Sequence, residues 1–263
     1  MPRFLFAWNH LQSDSMSFSF FKQLQKRDRD FSIQLDGKAV CVKVVENDRA
    51  KRLTLRLQPG GDGVKVTIPS HIGDDEIEAF VARSRNWIAA RLARLPDKTQ
   101  LIAGALVPYL GIDHLIVPTG KMRGVVEVDH NDEPPKLRVP GNEKTISRKL
   151  FTWFKQEARR ELNEVVMHHC EKIGIRPRQI RITDTTSRWG SCSSTRTLSF
   201  SWRIIMAPPE VLDYLAAHEV AHLKEMNHSD RFWKLTRELC PDTDRHKAWL
   251  RANGSKLHAI DIS

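Results

Sequence analysis

Two histidines and a glutamate form the pattern in this chain with the clearest capacity for chemistry. They are His218, Glu219 and His222, in the order His-Glu-Val-Ala-His. On a helix, residues four apart differ by about 40° of rotation and about 6 Å of rise, so both rings point the same way. This spacing suits two ligands of one zinc ion. Glu219 follows the first ligand and can reach a water on the metal without binding the metal itself, as a general base must.

A third histidine, His228, lies six residues after His222. In a continuous helix it would lie roughly 9 Å further along the axis, far outside the ~2.0–2.1 Å of a Zn–N bond. The helix must therefore end and the chain must turn back. Asn227 tolerates the left-handed conformation that often ends a helix, and Ser229 is a favourable N-cap for the next one. The sequence thus predicts one zinc ion per chain, held by His218, His222 and His228.

Several elements must position these side chains. Apolar periodicity predicts a long helix over residues 144–173. Strands are predicted at 179–183 and 197–202, with a loop at 188–192 between them. The prolines at 208–209 open the metal-binding helix, because proline is tolerated in a first helical turn but not in a helix interior.

The first half of the chain has a different pattern. Residues 31–68 alternate between apolar and polar side chains, which is typical of short strands. Residues 74–95 predict one amphipathic helix with Trp87 on its apolar side, and short strands follow over 101–139. The chain is therefore predicted to be α+β.

The sequence predicts three parts along the chain. Residues 1–30 form a flexible N-terminal tail, residues 31–140 a β-rich N-terminal α+β region, and residues 141–263 the domain that carries the histidines.

Composition limits the class of protein. With 40% hydrophobic and 28% charged residues the chain is an ordinary globular protein, and no apolar run reaches the ~20 residues that cross a membrane. The N-terminus becomes polar too early for a secretory signal, and the four cysteines form no CxxC pair. We therefore expect a cytoplasmic protein without a membrane partner. One cysteine, Cys192, lies in a polar run and is an alternative nucleophile.

The excess of basic residues that gives the net charge of +10 lies before residue 201, because residues 201–263 contain equal numbers of acidic and basic residues. A basic surface of this kind can contact a nucleotide, nucleic acid or an acidic peptide, and it can equally be a solvated surface without a specific role.

An ordered set of motifs resembles one family. The stretches are Arg-Trp-Gly-Ser-Cys at 188–192, Ala-Pro-Pro-Glu at 207–210, His-Glu-Val-Ala-His at 218–222 and Asn-His-Ser at 227–229. Together they resemble the YgjP-like metallopeptidase domain family, which is related to the SprT-like and WLM zinc proteins. Metzincins have a similar ligand spacing, but the residue at their conserved glycine is Glu225 here.

The resemblance implies a zincin-like catalytic domain, with an active-site helix under a small sheet whose edge strand borders the cleft. It implies that His218, His222 and His228 bind zinc and that Glu219 is the catalytic base. The predicted function is a zinc-dependent hydrolase, a metallopeptidase that cleaves peptide bonds of a peptide or protein substrate with a zinc-activated water.

Substrate-binding residues are less clearly marked. Arg188, Ser191 and the backbone amides of 189–191 are candidate donors to a developing oxyanion. Trp189 is a candidate substrate-binding residue in the same loop, although it can instead pack in the core beside a turn at Gly190. We expect the strand at 197–202 to be the sheet edge that binds an extended peptide by strand addition.

Two other functions stay open. One is a metal-dependent nucleoside triphosphate (pyro)phosphohydrolase, because guanidinium groups bind phosphates bidentately. The arginines concerned are Arg176, Arg178, Arg181, Arg188, Arg196 and Arg203. Against it, there is no Walker-type glycine loop, and three histidines suit zinc better than magnesium. The other is a DNA-associated SprT-like protease, although no known nucleic-acid-binding motif is evident.

Overall fold

The computed structural model of the protein describes residues 29–58, 61 and 63–262. Apart from its last two residues, the predicted tail over 1–30 lies outside the described part of the chain. Helices and strands are interspersed along the rest, which confirms the predicted α+β class.

An N-terminal module is formed by four strands and two helices. Its elements are β1 (Phe31–Leu35), β2 (Lys38–Glu46), β3 (Thr54–Leu57), β4 (Val64–Ile68), α1 (Asp74–Arg83) and α2 (Arg85–Leu92). The sheet order is β1-β2-β4-β3, with β2 and β4 parallel and the other pairs antiparallel. Alternate residues of β4 are buried under the helices, as the sequence pattern predicts.

The single helix predicted over 74–95 is wrong, because the structure divides it at Ser84. The Ser84 hydroxyl donates to the Phe80 carbonyl at 2.8 Å, and its N–H contacts the carbonyls of both Phe80 and Val81. A serine-to-carbonyl bond of this kind competes with the regular helical pattern. Trp87, predicted on the buried side, is 50% exposed.

A second sheet follows the N-terminal module. After β5 (Thr99–Gln100) come β6 (Leu106–Tyr109), β7 (Ile112–Pro118), β8 (Glu127–Asp129) and β9 (Lys136–Val139), in the spatial order β6-β7-β9-β8. The buried side chains of this sheet belong to the same apolar cluster as those of the histidine-bearing half, whereas the N-terminal module has its own cluster. The division of the chain at residue 140 stays a prediction.

The long predicted helix is confirmed as α3 (Glu143–Ile173). It begins at Asn142, whose backbone N–H donates to the Thr145 hydroxyl in a capping box. It ends at Gly174, which has φ 69° and thus the left-handed conformation that glycine adopts without strain. Buried residues recur every three or four positions along it, so α3 crosses the core of the larger cluster: Ile146, Leu150, Phe154, Ala158, Leu162 and Val166.

The remaining elements carry the histidines. They are β10 (Gln179–Thr183), β11 (Gly190–Cys192), β12 (Thr197–Ser201), a 3-10 helix (Trp202–Met206), α4 (Pro209–Ala221), α5 (Asp230–Leu239), α6 (Thr243–His258) and β13 (Ile260–Asp261). Strand β13 pairs in parallel with β5, so the end of the histidine-bearing part contacts the strand that follows the N-terminal module.

The expectation that residues 197–202 form the sheet edge is wrong. The order is β10-β12-β11, so β12 is central and β11, predicted as a loop, is an edge strand. Strand β12 is central because Leu198 and Phe200 are fully buried. Strand β11 is polar and only three residues long, and therefore pairing with β12 rather than an apolar pattern makes it a strand.

Within the described residues, no helix combines the length and the apolar character required to cross a bilayer.

Candidate metal centre

Helix α4 is held in the core before it presents the site. It begins with Pro209 in its first turn, as predicted, and it is buried on most sides, including Leu212 and Leu215. Across the α3–α4 interface, His169 Nε2 lies 2.7 Å from a carboxylate oxygen of Asp213. The last turn of α4, which carries His218 and Glu219, is therefore attached to a rigid support.

The turn after α4 is tighter than the sequence indicated. The helix ends at Ala221 with His222 as its C-cap, and the N–H groups of Leu223 and Glu225 donate to Val220 and Ala221 at 2.9 Å. Asn227, predicted in the left-handed conformation, is not among the described residues with positive φ. The helix thus ends at the second histidine, several residues before Asn227. Helix α5 then begins after Ser229, the predicted N-cap position.

The three predicted ligands lie together. One nitrogen from each of His218, His222 and His228 is within 4.8 Å of the others, and the Nε2 atoms of His218 and His228 are 3.2 Å apart. Nitrogens that share a tetrahedral zinc at ~2.0–2.1 Å lie about 3.4 Å from one another. His222 Nδ1 donates to the Glu225 carbonyl at 3.0 Å, which leaves Nε2 for a metal. This donor set fits zinc, and no other such cluster occurs in the described part of the chain.

Aromatic rings of α5 fix the orientation of the imidazoles. Phe232 stacks on His222 with 4.3 Å between centroids, and Trp233 stacks on His228 at 5.6 Å. Burial, with the neighbouring His222, lowers the pKa of His218 to about 3, and burial also lowers the pKa of His222. Both rings are therefore neutral at pH 7, which is the form that binds a metal.

Glu219 is buried beside these rings, with 3% of its surface exposed. Burial raises the pKa of its carboxyl to about 8, against the opposing charge of Arg188. Its Oε2 atom has no hydrogen-bond partner among the described residues. A buried carboxyl without a structural partner is typical of a catalytic acid or base.

Gly190 is the residue that lies against this carboxyl, and its role was missed in the sequence. A Cβ atom at Gly190 would lie 2.3 Å from Glu219 Oε1 and 2.7 Å from its Cδ and Cγ atoms. Only glycine therefore leaves room for Glu219 in its present position. The glycine within 188–192 was a possible sign of a close contact, but a turn at this position explained the glycine equally well.

Strand β11 has one open edge next to this carboxyl. On its paired side, the Trp189 carbonyl accepts from the Ser201 N–H at 2.8 Å, and the Ser193 N–H donates to the Thr197 carbonyl at 3.0 Å. Since main-chain groups alternate in direction along an antiparallel strand, those of Gly190 and Cys192 point to the open edge. Free N–H and C=O groups can receive an extended chain there.

The predicted substrate-binding residues lie around β11. Ser191 is opposite Ser199, and its side chain projects from the sheet face opposite to that of Gly190 because side chains alternate. Trp189 is partly buried and stacks on His258 at 4.4 Å, whereas Arg188 is exposed. Their role in substrate binding stays a prediction.

The alternative nucleophile is poorly suited to that role. Burial, with the nearby charge of Glu219, raises the pKa of the Cys192 thiol to about 11. The reactive thiolate is thus scarce at neutral pH.

The arginines considered for phosphate binding are dispersed. Arg203 is buried and donates to the carbonyls of Leu257 and Ile260 as well as to Asp184, so it is a structural residue. Three others line a separate pocket that includes none of the three histidines: Arg176, Arg178 and Arg196. Arg181 bonds to Gln179. Of the set, Arg188 is the one whose charge acts on the Glu219 carboxyl.

Three convergent imidazoles with an adjacent buried carboxyl place this protein in the class of metal-dependent hydrolases. The family match is more specific. The YgjP-like metallopeptidase domain matches residues 51–253, and the chain belongs to this family. The arrangement expected of a zincin-like domain is present: helix α4 packs against a small sheet whose edge strand β11 borders Glu219.

Two solved structures are similar to part of the chain. The metallopeptidase zymogen of Pyrococcus abyssi abylysin is 23% identical with a TM-score of 0.33, over 36% of this chain and 94% of that one. The metallopeptidase zymogen of Methanocaldococcus jannaschii jannalysin is 21% identical with a TM-score of 0.32, over 35% and 95%. No curated protein matches the chain.

Proposed function

We propose that the protein is a zinc metallopeptidase that cleaves peptide bonds, with one zinc ion per chain. The observation that supports this most directly is the buried, unpartnered carboxyl of Glu219 beside three convergent histidine rings. When bound by His218, His222 and His228, zinc supplies a Lewis acid that activates water and polarises a carbonyl group.

Glu219 moves the protons in this reaction. Its carboxylate accepts a proton from the attacking water, and the resulting acid returns that proton to the leaving amine. Burial favours the protonated form, and a nearby divalent cation favours the ionised form, so the two influences bring the carboxyl toward the range in which it can do both.

The open edge of β11 holds the substrate. An extended peptide added to this edge exchanges main-chain hydrogen bonds with Gly190 and Cys192, and its scissile bond lies next to Glu219. Main-chain bonds give affinity without strong dependence on side chains, so the preference for substrate sequence at these positions is weak.

The predicted cytoplasmic location is retained as part of this proposal. All four cysteines are free thiols. A reducing compartment keeps thiols in this form.

The test compares wild type with Glu219→Gln on unfolded proteins and on nucleoside triphosphates. We expect the substitution to lower kcat for peptide cleavage by about 10²–10⁴-fold while zinc content stays at that of wild type. Glu210→Gln is the matched control, because Glu210 is exposed in the first turn of the same helix. Equal peptide cleavage by wild type and Glu219→Gln would refute the proposal, and so would Glu219-dependent release of phosphate without any cleavage of peptides.

A further inference from the structure

A pocket of about 380 Å³ lies between the N-terminal module and the chain that leads into β11. We infer that it binds a carboxylate of the peptide substrate and so selects substrates with an acidic residue near the scissile bond. This inference rests on the proposed peptidase function. The arginines that line it are Arg91 of α2, Arg188, and Arg251 of α6, and we name it the arginine pocket.

The arginine pocket is positively charged, because none of the residues that line it is acidic. One of its arginines, Arg188, acts on the charge of Glu219, which lies outside the pocket. None of its three arginines forms a salt bridge within the described part of the chain, whereas Arg138, Arg160 and Arg237 do. An arginine is a planar donor whose geometry matches a carboxylate, so three unpaired guanidinium groups around one pocket favour an anionic ligand.

The two halves of the protein form the arginine pocket jointly. Arg91 and Leu95 come from the N-terminal module and the segment after it, and Arg251 and His258 come from α6. The N-terminal module thereby gains a specific role, because the catalytic half alone would leave this pocket open on one side.

Trp189 separates the arginine pocket from the metal centre. Its indole is held between His258, at 4.4 Å between centroids, and Gly254, where a Cβ atom would lie 3.0 Å from the ring. The next residue, Gly190, lies against Glu219. Since a strand advances about 3.3 Å per residue, a peptide on the edge of β11 reaches the level of Arg188 about two or three residues from the scissile bond.

The position along β11 favours a peptide carboxylate over a nucleotide phosphate. Residues 188–190 connect the arginine pocket directly to the glycine beside Glu219, so a main chain bound at Gly190 can place a side chain between the arginines. A nucleotide makes no use of this edge.

The experiment scans a single glutamate, with glutamine as reference, through each position of a peptide that the enzyme cleaves. For wild type we expect kcat/KM to be roughly tenfold higher with glutamate at one position, two or three residues from the cleaved bond, through a lower KM. In Arg91→Gln and Arg251→Gln this ratio falls toward one. Arg83→Gln, an exposed arginine of α1 outside the pocket, is the control and keeps the ratio.

Charge reversal tests the same contact from the other side. Arg251→Glu is expected to prefer lysine over glutamate at the selected position. Binding of both peptides to zinc-loaded Glu219→Gln, measured by calorimetry, gives the preference without any turnover, so a failure of the proposed peptidase function is separated from a failure of the pocket.

Three results would overturn the inference. They are equal binding of glutamate and glutamine peptides at every position, a preference that survives in the Arg91→Gln/Arg251→Gln double variant, and binding of a nucleoside triphosphate that needs both arginines when no peptide preference exists.

Discussion

The contact between Gly190 and Glu219 makes Gly190→Ala the sharpest test of the site. A methyl group at residue 190 would lie 2.3 Å from the Oε1 atom and 2.7 Å from the Cγ atom of Glu219. Ordinary contacts begin at 3.4 Å, so the carboxyl must move by about 1 Å. Glu219 is buried, and therefore this movement pushes on neighbours that have little free space.

The expected cost appears in both activity and stability. A displacement of about 1 Å at a catalytic group lowers the rate by about 10²-fold. Insertion of an extra methyl group into a packed site costs about 1–3 kcal/mol of the free energy of unfolding. The backbone of Gly190 does not have a positive φ, so backbone strain does not add to the cost of this contact.

The assay is a double-mutant cycle of Gly190→Ala and Glu219→Ala. Steady-state peptide cleavage gives kcat for wild type and Gly190→Ala, and denaturant unfolding of all four proteins gives the free energies. If the contact is the cause, Gly190→Ala loses most of its cost in stability once Glu219 is alanine. Gly73→Ala, where the added atom meets nothing within 4 Å, controls for a generic effect of the exchange. A cost that is the same in both backgrounds would refute this account.

Three further predictions concern the metal, the pH dependence and the thiol. Removal of zinc by a chelator should lower Tm reversibly, because a ligand at 100 times its Kd adds about 2.7 kcal/mol to the free energy of unfolding. The effect of the chelator on Tm should be absent in His228→Ala and present in the exposed His71→Ala. Thermal unfolding with and without chelator measures it. Burial lowers the pKa of His258 from 6.5 to about 4, so the unfolded chain takes up this proton first and stability is lost as the pH falls from 6.5 to 4. In chelator, wild type should therefore lose about 1–2 kcal/mol more than His258→Gln between pH 7 and pH 5, and an equal loss in urea unfolding would contradict it. Cys192→Ala should retain peptide cleavage within a few-fold, because the thiol pKa of about 11 leaves little thiolate; a thousandfold loss of kcat would make the cysteine a reactant.

The elements that the sequence predicts best are those with local signals at both ends. Helix α3 has a capping residue, apolar residues at helical spacing and a terminal glycine, and its observed bounds differ from the predicted ones by one residue at the start. The ligand set follows from spacing alone, because one face of a helix and one chain reversal suffice to bring His218, His222 and His228 together.

The errors arise where contacts that leave no trace in the apolar pattern decide the local structure. At Ser84 the apolar periodicity continues through the break, so the sequence gives no sign that the serine hydroxyl bonds to Phe80. At β11 the residues are polar and few, and strand structure comes from pairing with β12. Neither feature has a signal in the residues that adopt it, and the second one hid the sheet edge nearest to Glu219.

Residues 188–190 are three consecutive residues with three separate physical tasks. Arg188 carries the charge of the arginine pocket, Trp189 fixes the chain against Gly254 and His258, and Gly190 leaves room for Glu219. The three tasks need different side chains: a long cationic one at Arg188, a large ring at Trp189 and no side chain at Gly190. The indole of Trp189 lies between the two sites, so Arg188 and Gly190, on either side of it, face the pocket and the metal centre separately. A change at Arg188 should therefore act on KM through the substrate charge and also raise the pKa of Glu219, whereas a change at Gly190 acts on kcat through the position of the Glu219 carboxyl.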